Sequence, residues 1–408
     1  MNDLAAKNAK GAKKGEAWPM VRLGDVCEIR AGSTHHGIES AEGQYPVYGS
    51  GGYICQATEF RCPANSVTIG RKGTLDNPLL IEEPFWNIDT CFGCIPNKEM
   101  DSRFLWRFCQ SFDFYKLVPS LGRPSTNSEA IKAIQIPLPP LEVQRKIVER
   151  LEKELGEADA LAEKFRQMAE FADAEFKAEL DETFKELEGM CVGEGEGEGE
   201  GEGEVLTQRR RGAEVRRVRL GDVGEIKRGK GIKRNETVVN GKPCVRYGEI
   251  YTSYDYVLDK AKSFVPKDLF ENCVHIGHGD LVFTLTGENT EEIGKALAYT
   301  GMDKVAAGGD MAVWSNHGCN SMFLAYLMYS SAMIKAKADA SNGQIIVHLS
   351  VKKLEEIKIP IPDISIQRQV VAKLDSAKDR CEKLKAAAER GLRAAENLRK
   401  AILAEAFE

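Results

Sequence analysis

Two polar loops, far apart in the chain, carry the side chains best suited to gripping another molecule. In IGRKGTLDN (69–77), Arg71 offers a planar fork that can hold a guanine edge through two parallel hydrogen bonds, or clasp a phosphate. Lys72 beside it is a point charge suited to phosphate, while Thr74 and Asn77 supply short hydrogen-bonding groups. Gly70 and Gly73 let the backbone come close to a ligand. Tyr48 and Ser50 in a glycine-rich turn, and Arg123, Ser125 and Asn127 in the segment GRPSTN (122–127), extend the set. In the second half, Arg246, Tyr247 and Glu249 follow a strand-like run, and Thr286 to Thr290 form a polar loop. There Glu288 can accept from a cytosine amine, Asn289 can pair with adenine, and Thr286 and Thr290 suit methyl groups or phosphates. Ser341, Asn342 and Gln344 occupy the place that 122–127 holds in the first half. The competing reading of every one of these positions is an ordinary surface turn.

This is chemistry of recognition, and motifs for making or breaking bonds are not found. No Asn/Asp-Pro-Pro-Tyr/Phe signature of a methyltransferase is present, and Pro139-Pro140 sits ahead of a helix. There is no GxxxxGKS/T phosphate loop. Glu356-Ile-Lys358 has the spacing of a nuclease ExK, but strand alternation explains it. Cys91 and Cys94 are spaced like zinc ligands, with Cys55 and Cys62 as conceivable partners, yet no second CxxC follows and buried thiols are the better reading. His275 and His278 are a weak pair, and Asp310 in its Gly-Gly-Asp turn reads as structural. The expectation is a chain with no active site and no metal.

The elements that must position these loops are duplicated. VRLGDVCEI (21–29) recurs as VRLGDVGEI (218–226), and IPLPPLEVQRKIVERL (136–151) recurs as IPIPDISIQRQVVAKL (359–374). Proline can begin a helix but not interrupt one, so each lead-in predicts a helix start. Apolar positions then step in fours and threes: Leu155, Ala158, Ala162, Phe165, Ala169, Ala172 and Phe176, shifting at Leu180, Phe184 and Leu187. The second seam runs through Ala377, Cys381, Leu384, Ala388, Gly391, Ala395, Leu398 and Ile402. Two such seams in one chain most simply pack on each other. The first helix (141–188) carries a net charge of −7 and the second (363–408) +2, which favours pairing with each other over self-pairing. Between head and helix, short β-like runs are split by Gly-rich turns and followed by helical patches at 103–118 and 320–338. That pattern predicts two α+β domains.

At 408 residues, 42% hydrophobic and 29% charged, the chain has ordinary globular composition and no run long and apolar enough to span a membrane. The first residues (1–19) read as a disordered basic tail without the apolar core of a signal peptide, and 189–214 as a flexible Gly/Glu tether. Eleven scattered cysteines fit reduced thiols in a cytoplasmic protein. The net charge of −6 argues against nucleic acid only on its face, because six glutamates lie in the 193–204 run alone. The domain limits expected are 20–140, 141–188, 215–362 and 363–408.

These motifs carry a resemblance. The duplicated heads and lead-ins, with YPVYGSGG, IGRKGTLDNPLLIEEPFWNIDT, VRYGEIYT, GDLVFTLTGENTEEIGKA and AGGDMAVW, resemble the specificity subunit of type I restriction–modification systems from Met20 onward. The resemblance implies two pseudo-symmetric target recognition domains, joined by two long antiparallel coiled-coil helices, each domain reading one half of a bipartite sequence in double-stranded DNA. It implies docking of two methyltransferase subunits that bring S-adenosylmethionine and methylate adenine, and of restriction subunits that translocate DNA with ATP and Mg. This chain itself would bind no cofactor. A rod of some 45 helical residues, roughly 65–70 Å, would act as a ruler between half-sites. The alternative class is a coiled-coil scaffold whose globular ends bind proteins.

Overall fold

The duplicated head and lead-in meet in the same way in both copies. In the computed structural model, which describes residues 18–118, 124–191, 215–343 and 346–407, Met20–Arg22 pairs antiparallel with Gln135–Pro137, and Arg216–Arg219 with Lys358–Ile361. Val21 faces Ile136 and Val218 faces Ile359, the same positions of the repeat. The tail over 1–17, Arg123, Gln344 and the linker from 192 to 214 lie outside the described residues. Two compact units result, Met1–Gln167 with Ala388–Glu408, and Met168–Ala387.

Each strand leads straight into a long helix, Leu141–Gly189 in the first copy and Ile364–Phe407 in the second. Pro140 ends the lead-in without loss, since the first amides of a helix have no partner within it; its carbonyl accepts from Val143 and Gln144. One residue of the lead-in then fixes each helix to its domain. Gln144, fully buried, donates through Nε2 to the carbonyls of Pro139 at 2.8 Å and Glu99 at 2.9 Å. Its Oε1 accepts from the amide of Asp101 at 2.8 Å, the residue that caps the Ser102–Ser111 helix. Gln367 repeats this, donating to Pro362 at 2.8 Å and accepting from Asn320, the cap of the Ser321–Met328 helix, at 2.8 Å. Gln144→Ala would remove the partner of the part-buried Asp101 amide and of the Glu99 and Pro139 carbonyls, the last of them buried. The expected loss is about 2 kcal/mol, read from the urea unfolding midpoint, and Gln367→Ala should match it.

The helices pack antiparallel within each unit. In the first, Asp159 pairs with Arg399 at 3.3 Å, while a Cβ at Gly391 would collide with the ring of Phe165. In the second, Asp173 pairs with Lys385 at 2.8 Å and Glu179 with Arg380 at 2.6 Å, so the partner's number falls as the first rises. Leu151, Leu155 and Leu403 are buried along the seam of the first unit, and Phe176, Leu180, Leu374 and Ala377 along that of the second. The seam expected through Leu398 is corrected: that side chain is 46% exposed and Leu403 is buried instead. After Ala395 the apolar face drifts by one position, because 3.6 residues per turn do not hold a strict 3.5-residue repeat. The far end of each helix docks an aromatic on a domain helix. Phe407 meets Phe104 at 5.2 Å, and Phe184 meets Phe323 at 5.6 Å.

The first domain carries a four-stranded sheet (order 27–31, 91–96, 66–70, 79–81) and a three-stranded one (52–57, 45–49, 86–87). The second carries a five-stranded sheet (225–228, 311–315, 281–284, 296–299, 257–258) and a four-stranded sheet (263–265, 242–245, 305–307, 274–276). The patch expected at 103–118 is two pieces, Ser102–Ser111 and the 3-10 turn Phe114–Leu117, because Asp113 caps a new start by accepting from Tyr115. The patch at 320–338 divides likewise into Ser321–Met328 and Ser331–Ala340, where Ser330 caps the second.

Candidate nucleic-acid interface

In the first domain three distant segments close on one another. Arg71 and Lys72 donate their amides to the carbonyl of Thr90 at 2.8 and 3.1 Å, which ties the loop to the Trp86–Cys91 stretch. Ser50 donates through Oγ to the Lys72 carbonyl at 2.8 Å, and its amide donates to Thr90 Oγ1 at 3.2 Å. The Gly73 amide donates to Pro124 at 3.2 Å, the Thr126 amide donates to Arg71 at 2.9 Å, and Lys72 bridges Ser125. Glycine is needed at two points here. A Cβ at Gly70 would run into the Thr74 carbonyl, and Gly73 sits at φ +83°. The Arg71 guanidinium lies 5.7 Å from the Phe92 ring centre, and Lys72 forms a 3.2 Å ion pair with Asp89. Thr74, Asn77 and Ser125 are exposed. Tyr48 is turned to structure, edge-on to Phe85 and Tyr53 at 5.8 and 6.1 Å. Asn127 caps the Ser128–Lys132 helix by accepting from Ala130.

In the second domain the candidates separate into two groups. Arg246 and Glu249 satisfy each other, with guanidinium-to-carboxylate distances of 2.7 and 3.1 Å, and Glu249 also accepts from Ser263. Tyr247, Thr286 and Glu288 instead line a cleft of about 460 Å³ together with Tyr251, Thr252, Glu292 and Ile346. Tyr251 sets its floor: the phenol donates to the Thr286 carbonyl at 2.9 Å and meets Thr284 Oγ1 at 2.8 Å, while burial pushes its pKa up. Thr286–Gly287 pairs with Val347–His348, so the loop expected at 286–290 begins as a short strand. Asn289 is bound locally, exchanging hydrogen bonds with Glu292 at 2.8 and 3.2 Å. Thr290 is exposed, Ser341 donates to Ala338, and the Asn342 backbone bridges His348. Behind the loop, Lys337 is 3% exposed and donates to the Gly294 carbonyl at 2.8 Å; burial pushes its pKa down to about 7.

Several neighbours escaped the sequence reading. Asp89 and Thr90 hold the first loop, and Tyr251, Thr252 and Ile346 shape the second; nothing in their local spacing marks them. Lys227, Arg228, Lys230, Lys233 and Arg234 form an exposed basic run just after the second head. Its local charge density is the sequence signal for it, and the near-neutral balance of the whole chain masks it. Arg228 pairs with Asp310, whose φ is +58°, at 2.9 Å. Cys91 and Cys94 lie on the inner strand Cys91–Pro96, and burial pushes Cys62 up to about 11 and Cys91 to about 12, so these thiols stay protonated at neutral pH.

An α+β domain with an antiparallel helix pair occurs in each of the two units, which defines the class as a duplicated subunit with two recognition-type domains and two long helices. The chain belongs to the type I restriction modification DNA specificity domain family, whose model matches residues 15–165 and 213–390. It is similar to the type I restriction enzyme MjaVIII specificity subunit of Methanocaldococcus jannaschii, at 24% identity over 91% of this chain and 88% of that protein. The fold is shared with a chain from a structure of the type I R-M system, with TM-score 0.68 and 20% identity over 97% of this chain and 99% of that one. The HsdS subunit from Thermoanaerobacter tengcongensis matches with TM-score 0.51 and 18% identity over 97% and 98% of the two chains. Among the described residues no helix is long and apolar enough to cross a membrane.

Proposed function

We propose that this chain is the DNA-reading subunit of a type I restriction–modification complex and does no bond-making of its own. Each domain reads one half of a bipartite target, and the two helices, 49 and 44 residues long, set the distance between halves. Two methyltransferase subunits dock on it and bring S-adenosylmethionine for adenine methylation; restriction subunits bring ATP and Mg. The observation that carries this reading is the convergence of the Ser50 turn, the Arg71–Lys72 loop and the Pro124–Thr126 segment on one site. Rigid backbone ties there hold an arginine and a lysine in fixed register, as base reading requires. In the second domain the Tyr247–Glu288 cleft takes the base-facing role, and the basic run over 227–234 faces phosphates.

The test is duplex protection by the chain together with its methyltransferase partner. Sequence-specific protection supports reading, and no protection favours a protein-binding scaffold. Within that assay Arg71→Ala should cost about 1–3 kcal/mol and relax one position of the first half-site. Lys72→Ala should weaken all duplexes alike and lower the salt slope by about one.

A further inference from the structure

The loop between Cys27–Ala31 and Tyr45–Gly49 plays no part in the recognition reading, yet it gathers three ligand-type side chains. His35 Nε2 lies 3.1 Å from Glu39 Oε1, and His36 Nδ1 lies 3.2 Å from the same oxygen. One ligand atom from each of the three residues falls within 4.8 Å of the others. We propose that His35, His36 and Glu39 bind one divalent transition-metal ion of the zinc class.

The distances support the ion on simple geometry. Zinc holds imidazole nitrogen and carboxylate oxygen at about 2.0–2.1 Å, which makes the edge of a tetrahedron roughly 3.3–3.4 Å. The two nitrogen–oxygen separations are already within a few tenths of that edge, and the two imidazole nitrogens lie within 4.8 Å of each other, so closing the rings on an ion completes the set. The backbone holds the residues in place beforehand. Ile38 donates to the His35 carbonyl at 3.2 Å, Thr58 to Ile38 at 2.9 Å and Ser40 to Gln56 at 3.1 Å, and Glu39 faces Ala57 in a bridge. Gly37, at φ +95°, makes the turn that returns the histidines over Glu39, and their rings stack at 5.0 Å. His36 and Glu39 face solvent, so water can complete the coordination.

The donor set determines the metal class. Two imidazoles and one carboxylate suit zinc, cobalt or nickel better than calcium or magnesium, which prefer oxygen alone. At the matching positions of the second copy stand Ile232, Lys233 and Glu236, which keep the carboxylate but neither imidazole, so the site belongs to the first domain only and predicts one ion per chain. Bound there, the ion would cross-link the 32–44 loop within itself, beside the Glu39–Ala57 bridge that ties it to the edge strand Gly52–Ala57.

Cobalt(II) titrated into the purified full-length chain tests this, followed by calorimetry and visible absorption. The expected result is one equivalent bound through nitrogen and oxygen, without the near-ultraviolet band of a thiolate complex. His36→Ala, at a side chain 81% exposed, cannot disturb the core and should weaken binding at least about tenfold, as should Glu39→Gln. Cys91→Ser should bind like the parent. Absence of the equivalent, a thiolate band, or undiminished affinity in either loop variant overturns the site.

Discussion

Replacing residues 20–140 with the corresponding domain of another specificity subunit is expected to change one half of the methylated sequence and leave the other half intact. Methylation at the old first half should fall on the order of a thousandfold, the usual gap between specific and non-specific binding. The structural ground is that the first domain closes its own core. Val67, Ile69, Phe92, Phe104 and Leu105 share one core, and among the described residues the backbone hydrogen bonds of the recognition loop go to segments of the same domain. The graft must keep two attachments to the helices, the Asp101 amide on Gln144 and the Phe104 ring on Phe407. Mapping of modified adenines in a host carrying the chimera reads the result. A change in both halves, with those attachments kept, would show that the domains do not read independently.

Replacing Lys337 with Met is expected to raise stability at neutral pH and to remove a pH dependence that the parent shows. In the unfolded chain a lysine titrates near 10.4, whereas burial lowers Lys337 to about 7 in the folded chain. Between those values the unfolded chain carries a proton that the folded lysine lacks, so stability rises with pH across the window. Below about pH 7 both states are protonated and the cost of burying the charge is present in full. A shift of this size corresponds to something on the order of 4 kcal/mol, offset in the variant by loss of the hydrogen bond to Gly294. Lys177, the charged neighbour that also disfavours protonation, pairs with Asp181 at 3.3 Å and remains in both proteins. Urea midpoints measured from pH 6 to 10 for the two chains give the comparison. Buried thiols and phenols contribute equally to both, so parallel curves would mean that Lys337 is not a buried charge.

The architecture was legible because it is written as period and repetition. The proline lead-ins fixed where helices start, and the seam residues from Leu155 to Leu187 told which face is buried. Where the reading failed, at Leu398, at Asp113 and at Ser330, a local cap or a drift of the helical face overrode the average pattern. The glutamines of the lead-ins stood in both repeats, yet a polar residue inside a helix looks like solvent-facing surface until its partners are known.

What the sequence determined by itself was the duplicated plan: two α+β domains, two seam helices, and the family to which they belong. Those features are local or periodic, and local rules reach them. Only the tertiary structure decided which polar residues work together. Arg246 and Glu249 satisfied each other, Tyr48 and Asn127 took structural duties, and Tyr247, Thr286 and Glu288 met Tyr251 in one cleft. The physical reason is that a polar side chain's role depends on the partners it finds across the fold, and hydrogen bonds between residues dozens of positions apart leave no spacing in the chain.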